Sequence, residues 1–138
     1  AEGRVGGGDG GQHELTHHGN RPEALEQRRR SEEARLKELR DFLDAMANTE
    51  EAGASLLDRT MIMYGSHMGD ANRHTNTNLP VALIGGGFKH GQHLAFSEKR
   101  NAPLCNLYVS MLQRMGVEAD TFASSTGTLR GLEARHVG

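Results

Sequence analysis

The chain has 138 residues, which is enough for one domain with its own core and too few for two. Hydrophobic residues make up 36% of it and aromatic residues only 4%, so that core should be lean and aliphatic. The net charge of -2 argues against nucleic acid as a partner, the single cysteine excludes an internal disulfide and an all-thiolate zinc site, and no apolar run approaches the ~20 residues of a membrane span.

The first part of the chain predicts an arm followed by a long helix. Glycine dominates residues 1–12, which predicts a flexible Gly-rich arm ahead of a single α/β domain at residues 13–138. Asn20 and Pro22 predict a helix start, with Asn20 as the cap and Pro22 in the first turn, where a missing N–H costs nothing. This helix should run from Pro22 to Ala47. Its apolar stripe is thin and its charges are spaced for pairing. The first half of the helix has little to bury, so we expect that half to be exposed or covered by a missing partner.

Two short apolar runs, at residues 60–64 and 81–84, predict buried strands. The loop between them carries His67, Asp70 and His74. In open α/β sheets, ligands bind outside the carboxyl ends of the strands, so this loop is the predicted site.

The C-terminal part predicts one more helix. Apolar residues recur at steps of three and four after Pro103, and Gly116 should end the helix. A short strand is predicted at residues 93–96, and the Ser/Thr/Gly-rich tail from residue 121 should pack as a final turn or fray. The order of helix, strand, strand and helix predicts the α/β class.

Histidine is the residue type that suggests chemistry, since eight in a chain of this length is a high count. Five of them form two groups: His13, His17 and His18 before the long helix, and His67 and His74 on either side of Asp70. Neutral imidazole and carboxylate are ligands that suit zinc and similar divalent ions. The alternative is that these side chains only hydrogen-bond a polar loop to the sheet. Arg73 could fork onto a phosphate or sulfate oxygen, or cap carbonyl groups at the surface.

The stretch 64–75, Tyr-Gly-Ser-His-Met-Gly-Asp-Ala-Asn-Arg-His-Thr, followed by Asn-Leu-Pro-Val from residue 78, carries a family resemblance. Supporting pieces lie at residues 17–22, 56–58, 103–116 and 125–127. Together they resemble the C-terminal part of an uncharacterised bacterial domain-of-unknown-function family whose members are often exported. The match runs from His13 to Leu132.

That family is similar to the alkaline phosphatase and sulfatase superfamily, which implies a partial α/β/α fold in which a sheet is layered with helices. Superfamily members carry a metal-binding His before a helix, an Asp-His pair after a strand, and a His-Thr pair leading into a further strand. By resemblance, His18, His67 and His74 are the metal ligands at these three places.

Two acidic residues complete the metal set that the resemblance implies. Glu14 falls where an acidic ligand of the same metal as His18 is expected. Ser66 stands where the superfamily has the Asp of its Asp-His pair, and Asp70, three residues further on, is the substitute. Arg73 is the candidate catalytic residue, as a partner for the substrate oxyanion.

The resemblance implies a function as well as a site. The superfamily's nucleophile segment has no counterpart here, so the chain is expected to be the C-terminal portion of a phosphatase- or sulfatase-like hydrolase domain that is inactive alone. If active, it would hydrolyse phosphoric or sulfuric esters with a divalent metal, zinc foremost. The alternatives are a non-catalytic extracellular binding or scaffold module and a simple divalent-metal-binding protein. Export, and an N-terminal half or partner protein over the first helix, are implied in the same way.

Overall fold

The computed structural model describes residues 12–132, apart from the side chains of Gln12, Glu14 and Glu98. Residues 1–11 of the predicted arm and residues 133–138 lie outside the described residues. In chain order the elements are α1 (Gln12–Thr16), α2 (Pro22–Asn48), β1 (Glu50–Glu51), β2 (Ala54–Ser55), α3 (Leu56–Arg59), β3 (Met61–Gly65), β4 (Val81–Gly85), a 3-10 turn (Glu98–Arg100) and α4 (Leu104–Arg114). No helix between residues 12 and 132 combines the length and apolarity needed to cross a membrane.

The predicted long helix is confirmed, but its cap is not Asn20. Pro22 occupies the first turn of α2, as predicted, and Arg21 is the N-cap residue, with no side-chain capping bond. Asn20 lies one position earlier, in a left-handed turn with Gly19 (φ +59° and +54°). The Arg21 N–H closes this turn by donating to the His18 carbonyl at 3.0 Å. Asn tolerates a left-handed conformation well, so it serves the turn between α1 and α2 instead of the cap.

Helix α2 is held to the rest of the chain by one side only. It contacts α1, α3 and β2, yet none of its residues is buried. Its apolar side chains remain partly in water, with Leu25 41%, Leu36 51% and Phe42 50% exposed. The predicted exposure of this helix is therefore confirmed.

Ion pairs cover the charged face of α2. The Glu26 carboxylate lies 2.8 Å from Arg29 Nε and 2.9 Å from Arg30 Nε. The Glu32 carboxylate lies 3.5 Å from Arg35 Nη1. The hydrogen bonds from Arg29 and then Arg30 lower the pKa of Glu26 to about 2. Exposed pairs of this kind contribute little to stability, so they do not explain why the helix is folded.

The predicted strands are confirmed in position, and their predicted burial is wrong. β3 and β4 pair antiparallel, from Met61 opposite Gly85 to Gly65 opposite Val81. Within the described residues each strand has only this one partner. Of their residues only Gly85 is buried, because no second layer covers both faces of the pair.

A small hairpin, not predicted as such, precedes β3. Strands β1 and β2 pair antiparallel around a two-residue turn at Ala52 and Gly53, where φ is +49° and +80°. Such a turn matches the right-handed twist of a hairpin. The chain is therefore a small α/β protein with helices and two small antiparallel sheets, which confirms the predicted class at that level.

Ser55 joins this hairpin to α3 and gives a testable prediction. Its Oγ accepts the Asp58 N–H at 3.1 Å and donates to the Asp58 carboxylate at 2.8 Å. We expect Ser55→Ala to lower the free energy of unfolding by about 1 kcal/mol, since the cap is lost. Urea unfolding would measure this. Ser55→Thr, which keeps a hydroxyl at the cap, should recover most of the loss, and an unchanged midpoint in Ser55→Ala would contradict the capping role.

The core is centred on α4, where the predicted helix is confirmed. The fully packed apolar residues are Phe88, Leu107 and Val109, which are 3%, 4% and 0% exposed. Gly116 follows the helix with φ +82°, in the position where a left-handed residue ends a helix. The predicted strand at residues 93–96 is wrong, because that segment is irregular in the structure.

Side chains of α4 hydrogen-bond to the C-terminal segment. As far as residue 129, this segment therefore packs against the helix and does not fray. Asn106 is 6% exposed and binds Thr126 through both ends of its amide. Ser110 Oγ accepts the Leu129 N–H at 3.0 Å. The Phe122 ring adds an edge-on contact with Tyr108 of α4, at 5.9 Å between ring centroids.

Candidate functional site

The loop between β3 and β4 is folded onto itself at its tip. The Gly69 N–H donates to the Thr75 carbonyl and the Thr75 N–H donates to the Asp70 carbonyl, both at 3.0 Å. Asp70 and Thr75 thus form an isolated antiparallel bridge that closes a turn over residues 71–74. The backbone fixes which side chains the turn presents.

Asp70 serves this turn with its side chain. Its Oδ1 accepts the Arg73 N–H at 3.2 Å, and its Oδ2 lies 3.5 Å from Arg73 Nε. The carboxylate therefore has a structural role in the turn. The Arg73 side chain is 77% exposed and is held to the loop by the same carboxylate, so its assignment as an oxyanion partner stays a prediction.

His74 ends the turn in an unusual backbone conformation. Its φ is +54°, in the left-handed region that residues other than glycine seldom adopt. The exposed side chain is thereby directed out of the loop and against the histidine-rich segment that contains α1. Strained backbone of this kind often accompanies a functional position.

The two histidine-bearing segments meet, although they are far apart in sequence. The ring centroid of His17 lies 4.7 Å from that of His74 and 4.9 Å from that of His13. Beside these rings, the Gly19 N–H donates to Asn72 Oδ1 at 3.2 Å across 53 residues. We call His13, His17 and His74 the histidine cluster.

His18 faces its own backbone rather than the cluster. Its Nδ1 accepts the Asn20 N–H at 3.0 Å. A neutral imidazole that accepts at Nδ1 carries its proton on Nε2, so neither nitrogen of His18 has a free lone pair in this conformation. His67 is exposed at the start of the loop, and Glu14 lies outside the described side chains.

The structure thus brings some of the predicted site residues together and leaves others apart. Among the side chains described between residues 12 and 132, no group of three or more His, Cys, Asp or Glu residues is placed to hold a metal ion. The members of the predicted set that are described, His18, His67, Asp70 and His74, do not form a preassembled coordination sphere. A shared metal for that set stays a prediction.

Sequence reasoning missed part of the cluster, although a signal was present. Residues 13–17 read His-Glu-Leu-Thr-His, which is the H-E-x-x-H spacing that places two imidazoles on one helical face. His13 lies in α1, and His17 follows it by one residue. That spacing, weighed beside the His74 loop, indicates His13 and His17 rather than His18.

A broad groove of about 1310 Å³ borders the β3–β4 loop at Ser66 and residues 76–80, and its lining does not include the histidine cluster. It is lined by Arg28, Glu32 and Arg35 of α2, by β4 and by residues 89–96. The groove has charged side chains of both signs and a half-exposed apolar floor. Its position beside the exposed face of α2 suits a large partner better than a small ligand.

No family model, no curated protein and no solved structure matches this chain.

Proposed function

We propose that the chain is the C-terminal portion of a phosphatase- or sulfatase-like metal-dependent hydrolase domain with an alkaline-phosphatase-like fold. The observation that supports this most is the contact between His17 and His74, at 4.7 Å between ring centroids. It places a histidine-bearing segment before a helix against a His-Thr loop that leads into a strand. The resemblance implies that such segments share a metal.

The topology is compatible with this assignment. β3 and β4 flank the loop that carries His74, and each has one unpaired edge within the described residues. An isolated pair of strands is marginal in water, whereas further strands on either edge would give it a stable sheet. A larger layered sheet of this kind is what the proposed fold supplies.

The chemistry follows from the ligand type. Imidazole groups hold divalent metals such as zinc, and a bound metal would neutralise the charge that develops on a phosphate or sulfate ester. In this chain, Arg73 is the cation nearest to His74 in sequence, and its exposed guanidinium lies 3.5 Å from the Asp70 carboxylate. We propose that it binds an ester oxygen beside the metal.

The remaining parts of the reaction are assigned to a partner. Ser66 stands where the superfamily has an aspartate, and the described residues offer no activated nucleophile beside the cluster. An N-terminal half or a partner protein would supply it, lying over the groove and the exposed apolar side chains of α2, Leu36 and Phe42. Export of the protein belongs to the same proposal.

The second candidate is a non-catalytic binding or scaffold module. It is favoured by one observation, the open groove beside a helix with no buried residue. It needs neither metal nor ester, and this difference separates the two candidates.

Zinc and phosphate binding test the proposal. We expect saturating zinc to raise the melting temperature by about 5–10 °C, as a ligand at 100-fold over its Kd would. Inorganic phosphate should give a further rise only in the zinc-loaded chain. His74→Ala should lose both effects, and His93→Ala, an exposed histidine outside the cluster, should keep both.

Two other outcomes would decide against the hydrolase assignment. Zinc binding without a phosphate effect would overturn the hydrolase assignment and leave a simple metal-binding protein. No zinc effect on the wild-type chain would leave the scaffold module.

A further inference from the structure

We propose that the groove is a docking site for an extended segment of a partner polypeptide, which adds a strand to the outer edge of β4. The side chains of this segment that face the groove are apolar, and one acidic residue of the segment pairs with Arg28. The inference goes beyond the proposed function, because it concerns how a polypeptide binds and needs neither a metal nor an ester.

The outer edge of β4 carries backbone groups that no other strand uses. The Ser66 N–H donates to the Pro80 carbonyl at 3.2 Å, in register with the pairing of β3 and β4. Hydrogen-bonded and non-hydrogen-bonded pairs alternate in an antiparallel ladder. The N–H and C=O groups of Val81 and Leu83 therefore point away from β3, which is the only strand paired with β4 within the described residues.

A side-chain contact at the end of β4 agrees with this direction. Gly85 follows Leu83 by two residues, so its carbonyl should also point away from β3. The His90 imidazole donates to that carbonyl through Nε2 at 2.9 Å. His90 thus uses the last acceptor of the edge, and the backbone groups of Val81 and Leu83 are left for another chain.

The groove follows this edge rather than one face of the strand pair. All of residues 81–84 line it, although successive side chains of a strand point to opposite faces. Of β3, only Tyr64 and Gly65 line it. The groove is also lined by α2 and by residues 89–96, which enclose the edge. A second folded copy has the same segments beside its own β4, so a single extended segment fits the edge better than that copy does.

The rest of the lining suits the side chains of such a segment. Half-buried leucines line the groove at positions 79, 94, 104, 129 and 132. Its volume of about 1310 Å³ is above the range of ~300–1,000 Å³ that is typical of small-molecule sites. When a peptide adds a strand to a sheet edge, main-chain hydrogen bonds give affinity and pockets for alternate side chains give specificity. The groove offers both.

The charges of the groove indicate an acidic residue in the partner. Its Lys and Arg side chains are Arg28, Arg35 and Lys89, and Glu32 is its carboxylate. Glu32 lies 3.5 Å from Arg35. Arg28 is half-buried and makes no ion pair with a described side chain. A guanidinium in this state favours a carboxylate, which it can bind through two parallel hydrogen bonds.

A synthetic peptide tests strand addition. The probe is a fluorescent peptide of about six residues, the usual length of a strand, in which valine alternates with threonine and aspartate occupies one end. We expect the wild-type chain to raise its fluorescence anisotropy, and the peptide to slow hydrogen exchange at the Val81 and Leu83 amides. N-methylation of alternate peptide residues removes the N–H groups of one edge. One of the two methylated sets should lose binding, and the other should keep it.

Position 83 provides a matched pair of variants. Leu83→Pro removes one outward N–H and leaves every bond to β3 in place, as proline at a sheet edge does. Leu83→Val keeps the N–H. We expect Leu83→Pro to weaken peptide binding by about tenfold and Leu83→Val to stay within about threefold of wild type. Cross-strand nuclear Overhauser peaks of β3 and β4 check that the variants remain folded.

Arg28 is tested against the charge of the peptide. Arg28→Ala should weaken binding of the aspartate peptide by about tenfold and leave unchanged the binding of a peptide with asparagine in its place. Arg29→Ala is the control, because Arg29 is exposed and already paired with Glu26. Equal affinity of the wild-type chain for the two peptides would overturn the charged contact.

Three results would overturn strand addition at β4: no binding of the peptide to the wild-type chain, equal binding of both methylated sets, or full binding by a folded Leu83→Pro variant. If Leu83→Pro does not fold, the methylated peptides decide, since they leave the chain unchanged. A wild-type dimer that Leu83→Pro converts to a monomer would show that the occupant is a second copy. The zinc and phosphate measurements use no peptide, so the hydrolase assignment is decided separately.

Discussion

Gly85→Ala should lower the free energy of unfolding by about 3–5 kcal/mol, from left-handed backbone strain and overpacking together. Gly85 ends β4 with φ +73°, and a Cβ there would lie 2.3 Å from the Thr60 carbonyl oxygen and 2.4 Å from that of Leu57. Both are backbone atoms, so no side chain can move aside. Urea unfolding of the purified variant would measure the loss.

A second glycine separates the two causes. Gly91 has φ +83°, and a Cβ built there meets no atom within 4 Å. Gly91→Ala therefore keeps the strain and lacks the clash, and it should cost about 1–2 kcal/mol. Equal losses at Gly85 and Gly91 would contradict the close packing of β4 against α3.

Asn106→Ala is expected to cost about 2–3 kcal/mol, the loss of a buried hydrogen-bonded side chain that leaves its partner unpaired. The Asn106 carbonyl oxygen accepts the Thr126 N–H at 2.8 Å, and its amide donates to Thr126 Oγ1 at 3.1 Å. Without the side chain, the C-terminal segment would separate from α4. Unfolding by urea and the rate of proteolysis after residue 120 should both report the change.

Thr126→Val is the matched variant for this contact. It removes the hydroxyl and keeps the backbone N–H that makes the shorter bond, so it should cost only about 1 kcal/mol. If it costs as much as Asn106→Ala, then the hydrogen bond to the threonine hydroxyl, and not the one from its backbone N–H, holds the segment.

The parts of the fold that were predictable are those whose signal is local. Apolar spacing placed α4, and two short apolar runs placed β3 and β4, in each case to within a few residues. The hairpin of β1 and β2 was not predicted because its turn uses Ala52 at φ +49°. Alanine rarely takes that conformation, so Ala52-Gly53 indicates a turn without the Asn-Gly or Asp-Gly pair that marks a hairpin.

Burial was the weaker part of the prediction. An apolar run is typical of a strand covered on both faces, and Met63 in β3 is nevertheless 40% exposed. What covers a strand depends on elements elsewhere in the chain or on another chain. The same reason applies to Leu36 and Phe42 on α2, whose apolar character alone does not determine their partner.

The sequence predicted which two segments meet, and whether they form a metal site stays a prediction. The sequence indicated that the histidines before α2 meet the loop of His74, and the structure brings them together. The resemblance implied His18 as the histidine that shares a site with His74, whereas the ring that contacts His74 is that of His17. That choice is made by the left-handed turn at Gly19 and Asn20, whose conformation turns His18 to its own backbone and His17 to the loop.

The contact between His17 and His74 can be measured directly by nuclear Overhauser spectroscopy on the metal-free chain. We predict cross-peaks between the ring protons of these two histidines, and zinc should shift the resonances of both while leaving His93 unchanged. The cross-strand peaks of β3 and β4 serve as an internal control for folding. If those peaks are present and the His17–His74 cross-peak is absent, the two segments do not share a site.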